Sequence, residues 1–78
     1  LKDADVDGAA QGLAATAFLN AGQICAAPKR LYVANEIYDA FCERLVAAAR
    51  ALKLGAGDEE GVTLGPIQNN MQFCKVRE

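Results

Sequence analysis

The stretch Phe18–Val33, FLNAGQICAAPKRLYV, decides how the chain is read. It leaves the end of an uncharged segment, passes Gly22-Gln23 to reach Cys25, and runs behind Pro28 into a strand-like stretch. Upstream, Gly8 to Ala27 carries no charge over 20 residues. Val6, Ala10, Leu13 and Ala17 recur at spacings of four, three and four, which is one helical face, and Ala14 and Phe18 widen it. The spacing predicts a helix over Val6–Asn20. Asp3, Asp5 and Asp7 offer N-caps and negative charge at the positive end of its dipole. Gly22 suits the left-handed residue that ends a helix. A helix that is small or apolar all round needs cover on every side. With three Phe, two Tyr and no Trp in 78 residues, the chain has little with which to cover it.

Downstream, Arg30 to Ala34 (RLYVA) reads as one short strand, with Pro28 placed where a missing N–H does least damage. Glu36–Leu54 then predicts an amphipathic helix. Ile37, Phe41, Leu45, Ala48 and Leu52 form its apolar stripe, and Glu36, Asp39, Glu43, Arg44, Arg50 and Lys53 lie mostly opposite. Asn35 is its expected N-cap, Gly55 its expected stop, and Lys53 suits the negative end of its dipole. Gly55–Pro66 reads as a glycine-rich loop with an acidic tip at Asp58–Glu60. A last helix is expected from Ile67 to Glu78, with Ile67, Met71 and Cys74 on one face and no stop signal. Both ends read as cuts through a longer chain. The local content is mostly α-helical with one short strand, in one partial domain over residues 1–78.

Net charge is −2, so nothing draws a nucleic-acid backbone. The uncharged segment is no membrane span, because Gln11, Thr16, Asn20 and Gln23 interrupt it and its bulky apolar content is low. It is no signal peptide either, since aspartates precede it where a basic region belongs. Cys25, Cys42 and Cys74 are widely spaced and there is no His, which argues against a zinc site and leaves no metal-ligating set. An odd number of thiols argues against a disulfide scaffold and points to a reducing compartment, the cytoplasm or its equivalent. Gly55–Gly57, Gly61 and Gly65 form no phosphate loop, because no Lys-Ser/Thr follows.

Read from the residues alone, Cys25 has two readings: a small buried hydrophobe, or a nucleophile. A nucleophilic thiol needs thiolate character, access, and donors for the oxyanion formed after attack. Gly22-Gln23 permits a sharp exit that presents backbone N–H groups, and Ala26 and Ala27 leave room for a substrate. A base is missing, since without His no Cys–His pair can form within the chain. Cys42, inside the amphipathic helix, and Cys74, on the last one, read as structural thiols.

The stretch resembles the active-site signature of the aldehyde dehydrogenase superfamily. That pattern has Phe, three residues, Gly, Gln or Glu, one residue, the catalytic Cys and small residues, with Arg five places after the Cys. Phe18, Gly22, Gln23, Cys25, Ala26, Ala27 and Arg30 match it, and Asn20 stands where many members have Asn. DADVD, Asp3–Asp7, resembles the acidic start of the helix leading to that cysteine. LGPIQNNMQF, Leu64–Phe73, resembles the family's Gly-Pro segment and the helix after it.

The resemblance implies an α/β parent, of which this chain is a fragment of the parallel-sheet catalytic domain. It implies that Cys25 attacks an aldehyde to give a thiohemiacetal, that its backbone N–H is one oxyanion donor, and that Ile24 and Ala26 line the aldehyde tunnel. Hydride passes to NAD or NADP, and water hydrolyses the resulting thioester to the carboxylic acid. The family's Glu base, its Asn oxyanion donor, its dinucleotide-binding domain and its oligomerisation parts fall outside these 78 residues. The isolated chain is therefore expected to bind no cofactor and to be inactive. Its expected partners are the rest of the parent polypeptide, an aldehyde and, for the parent, further copies of itself. Two other readings stay open. One is an acylating relative that passes the acyl group to coenzyme A. The other is a non-enzymatic helical fragment or binding module.

Overall fold

A computed structural model describes all of residues 1–78. Three α-helices carry the architecture: α1, Val6–Ala17; α2, Tyr38–Arg50; and α3, Asn70–Arg77. Asp5 caps α1, its carboxylate accepting from the Gly8 N–H at 3.2 Å. Gly8 makes room for that carboxylate, because a Cβ there would fall against it. Helices α1 and α2 pack on each other, and the core sits between them. Ala10 and Ala14, one turn apart on α1, are buried together with Phe41 of α2 and Ala27 of the connecting segment. The apolar stripe of α2 falls as its spacing requires: Phe41 is buried, while Ile37, Leu45, Ala48 and Leu52 are half-buried. At the surface, Arg44 Nε of α2 meets Asp7 Oδ1 of α1 at 2.9 Å.

Four expectations are corrected. First, α1 ends at Ala17 and not at Asn20. Asn20, Ala21 and Gly22 follow in succession at φ of +52°, +56° and +71°, so the left-handed exit expected of Gly22 alone extends over three residues. Two of them carry a Cβ in a region that costs most side chains energy.

Second, no strand forms at Arg30–Ala34. Residues Arg30 to Val33 make no backbone hydrogen bond, and Tyr32 is 94% exposed. A strand needs a ladder partner, and these 78 residues supply none. The one β-type pairing is an isolated bridge between Leu54 and Leu64.

Third, α2 starts and stops inside the expected range. Asn35–Ile37 forms a 3₁₀ turn, and the Asn35 side chain caps nothing. After Arg50, the Lys53 carbonyl accepts from the N–H groups of Thr63 and Leu64 at 3.0 and 3.1 Å. The Lys53 N–H donates to Thr63 Oγ1 at 3.1 Å, and Gly55 N–H to the Leu64 carbonyl at 3.1 Å. These bonds take the backbone groups that would have continued the helix, so Gly55 is not its cap.

Fourth, α3 begins at Asn70, three residues later than expected, with Asn69 as its cap. None of its residues is buried, so the face expected to hold Met71 and Cys74 is open.

The accessible surface is 6283 Å². A compact monomer of 8.2 kDa exposes about 4,500 Å². The radius of gyration, 14.0 Å, likewise exceeds the value of about 11.5 Å for a compact chain of this length. Two helices and their connections pack, but much apolar surface stays uncovered.

Candidate active site

Helix α1 delivers the chain to the site, and the left-handed residues turn it sharply. Phe18 ends α1, its N–H donating to the Ala14 carbonyl at 3.2 Å. After Gly22, Cys25 and Ala26 occupy a turn closed by the Ala27 N–H donating to the Ile24 carbonyl at 3.2 Å. Cys25 is exposed and unbonded. Within these 78 residues the thiol is not part of the core, and the residue buried at this turn is Ala27. The backbone N–H groups of Ile24, Cys25 and Ala26 donate to no protein acceptor. Three free donors in succession around an exposed sulfur can stabilise negative charge on an oxygen carried by a carbon bonded to that sulfur.

Gln23 is fixed more firmly than its motif position signals. Its N–H donates to the Asn20 carbonyl at 3.1 Å. Its side-chain Nε2 is shared between the carbonyls of Asn20, at 3.2 Å, and Pro66, at 3.4 Å. Its Oε1 accepts from the Gln68 N–H at 2.8 Å. The Asn20 side chain returns a long bond from Nδ2 to the Gln23 carbonyl, 3.5 Å. Lys29 Nζ donates to the Gly22 carbonyl at 3.2 Å. The cysteine turn is thus tied to the Pro66–Gln68 segment through one amide. Nothing in the local sequence signals a bond across more than 40 positions; the Gly-Pro segment and Gln23 read as separate features.

The larger cavity, about 840 Å³, lies beside this junction and is walled by Phe18, Ala21, Leu54, Leu64, Ile67 and Phe73 among others. A second, of about 260 Å³, lies between α1, the Leu31–Ala34 segment and the start of α2. Cys25, Ile24 and Ala26 line neither, whereas Phe18 walls the first. Ile24 is half-buried and Ala26 exposed. Neither cavity has a Lys, Arg, Asp or Glu side chain in its wall.

The other thiols are far from this turn in sequence and differ in setting. Cys42 is half-buried on α2, and Cys74 is exposed on α3. The Tyr38 phenol is held above the usual tyrosine range, first by a hydrogen bond with the Cys42 thiol and then by that thiol's charge. No three His, Cys, Asp or Glu side chains converge on a point that could hold a metal. No helix is long and apolar enough to cross a membrane.

Against known proteins, the whole chain, residues 1–78, matches the aldehyde dehydrogenase family. A glutarate-semialdehyde dehydrogenase of Pseudomonas putida is 45% identical over 76 residues, which is 97% of this chain and 16% of that protein. The NADP(+) succinate-semialdehyde dehydrogenase GabD of Escherichia coli is also 45% identical over 76 residues, with the same shares covered. A 3-sulfolactaldehyde dehydrogenase of Pseudomonas putida is 47% identical over 76 residues, again 97% and 16%. The chain spans about a sixth of the length of these curated relatives.

Proposed function

Because the chain belongs to the aldehyde dehydrogenase family, we propose that it is the nucleophile-bearing segment of a longer NAD(P)-dependent dehydrogenase oxidising an aldehyde to a carboxylic acid. In this reading residues 1–78 are part of an α/β catalytic domain, and Cys25 is the nucleophile. One observation carries it. Cys25 is an exposed thiol on a tied turn, with three unpaired backbone N–H groups beside it.

The chain's own part of the chemistry is addition. The Cys25 thiolate gives an electron pair to the carbonyl carbon, so a C–S bond forms and the C=O π pair moves to oxygen. Backbone N–H groups of the turn meet that oxyanion, and protonation of the oxygen gives a thiohemiacetal. The proton lost by the thiol goes to a base that this reading places outside these residues, where the family's Glu lies. Ile24 and Ala26 flank the sulfur and line the aldehyde's approach.

These residues do not fit a nicotinamide dinucleotide. No cationic side chain lines either cavity to meet a pyrophosphate, and no glycine-rich turn joins a strand to a helix. On this reading the cofactor contacts lie in other parts of the parent. NAD or NADP is its expected cofactor, the Escherichia coli relative being named for NADP(+). The isolated 78 residues are inactive on this reading, and NAD(P)H production by them at ordinary enzyme rates would contradict it.

The test is made in the intact dehydrogenase, with succinic semialdehyde among the aldehydes assayed. Cys25→Ser is expected to lower kcat about a thousandfold or more. Cys42→Ser and Cys74→Ser are expected to stay within about twofold, since neither touches the reacting atoms. Full activity in the Cys25 variant would sink the proposal.

A further inference from the structure

We propose that Gln23 is a positioning residue for Cys25. Its side-chain amide locks the cysteine turn to the Pro66–Gln68 segment and so fixes where the sulfur and the N–H groups of Ile24, Cys25 and Ala26 stand. The inference rests on the reading of Cys25 as nucleophile and deepens it.

Three observations converge on Gln23. The first is chemical fit. A primary amide both donates and accepts, and here each capacity is used on a backbone group: Oε1 takes the Gln68 N–H at 2.8 Å, and Nε2 is shared between Asn20 and Pro66 carbonyls. Glu lacks the donor, Met lacks both functions, and Asn is a methylene too short to span the same two segments.

The second is the backbone it holds. Asn20, Ala21 and Gly22 are left-handed in succession, an arrangement that persists only where surrounding bonds impose it. Gln23 supplies two of those bonds to the Asn20 carbonyl, one from its backbone N–H and one from Nε2.

The third is the lack of other restraint at the sulfur. Between Gln23 and Ala27 the turn has one backbone bond of its own, from Ala27 to Ile24, and the three N–H groups it carries are unpaired. Whatever fixes the direction of those donors must act from the flanks. Lys29 holds one, at the Gly22 carbonyl, and Gln23 holds the other while reaching across to a different part of the chain.

The contacts are solvent-exposed, so they add little to global stability, and their consequence is geometric. Misplacing a reacting group by a fraction of its bond-forming distance lowers turnover without weakening substrate binding.

The experiment compares Gln23→Met and Gln23→Glu with the unaltered intact dehydrogenase, reading kcat, KM, thermal stability and iodoacetamide alkylation of each thiol. Gln23→Met keeps length and removes both bonding functions. It is expected to lower kcat about tenfold or more with KM within about twofold, slowing alkylation of Cys25 but not of Cys42 or Cys74. Gln23→Glu keeps the acceptor for Gln68 and is expected to recover part of that loss. Unchanged kcat in Gln23→Met would overturn the proposal. So would a uniform fall in stability, KM and all three thiol rates, which marks a structural role only. If Gln23→Met fails to fold, hydrogen exchange of the unaltered protein decides: Gln68 N–H slower than Ile67 N–H supports the clamp, and equal exchange overturns it. The outcomes separate from those of the nucleophile reading. An inactive Cys25→Ser with a normal Gln23→Met removes the clamp alone, whereas an active Cys25→Ser removes the nucleophile.

Discussion

The Gln68 backbone N–H donates to Gln23 Oε1 at 2.8 Å, joining positions 45 residues apart. This bond ties the cysteine turn to the residues just before α3, which starts after its cap Asn69. The site and the last helix are therefore parts of one arrangement.

Asn69 is the first place to test that arrangement. Its Oδ1 accepts from the Gln72 N–H at 2.9 Å. Helix α3 has 8 residues and buries none, so it has little but its cap to hold it. Asn69→Ala is expected to cost about 1 kcal/mol locally. Hydrogen exchange should show faster exchange through α3 and no change in α1 or α2. Unaltered exchange in α3 would show that the cap is not what holds it.

Phe41 is the only large side chain in the core, at 8% exposure, packed with three alanines. Phe41→Ala is expected to cost about 3–5 kcal/mol, more than so small a core can lose. Circular dichroism should show α1 and α2 losing helix together. Arg44→Ala removes the ion pair to Asp7, whose two side chains are 60% and 65% exposed, and is expected to cost less than about 1 kcal/mol. Comparable losses in the two variants would contradict this placement of the core.

Features set by local spacing were legible in the sequence. The stripe Ile37, Phe41, Leu45, Ala48, Leu52 buries as its period requires, and Asp5 caps α1 from among the three aspartates proposed. Gly22 is left-handed as expected. What failed depended on partners. Arg30–Ala34 has strand composition, but a strand exists only in a ladder, and no ladder is available here. Glycine marks left-handed backbone reliably, whereas Asn20 and Ala21 join it with no local signal, the Asn20 carbonyl accepting from the Gln23 side chain. Asn35, the expected cap of α2, caps nothing, whereas Asn69 caps α3. The role proposed for Cys25 rests on a motif. The reach of Gln23 to Pro66 and Gln68 had no local signal.

The uncovered surface gives a further expectation for the 78 residues in isolation. Their accessible area exceeds that of a compact chain of equal mass by about 1,800 Å². They should bind a hydrophobic dye and unfold in urea with a slope below about 1 kcal/mol/M, the lower edge for small cooperative domains. A sharp transition without dye binding would show that the packing is complete as it stands.

The most direct measurement of the central claim is the alkylation rate of each thiol in the intact dehydrogenase, read by peptide mass spectrometry with and without an aldehyde substrate. Cys25 is expected to react about tenfold or more faster than Cys42 and Cys74, and to be protected by the aldehyde while they are not. Equal rates after allowing for exposure, or an aldehyde that fails to protect Cys25, would contradict its assignment as the nucleophile.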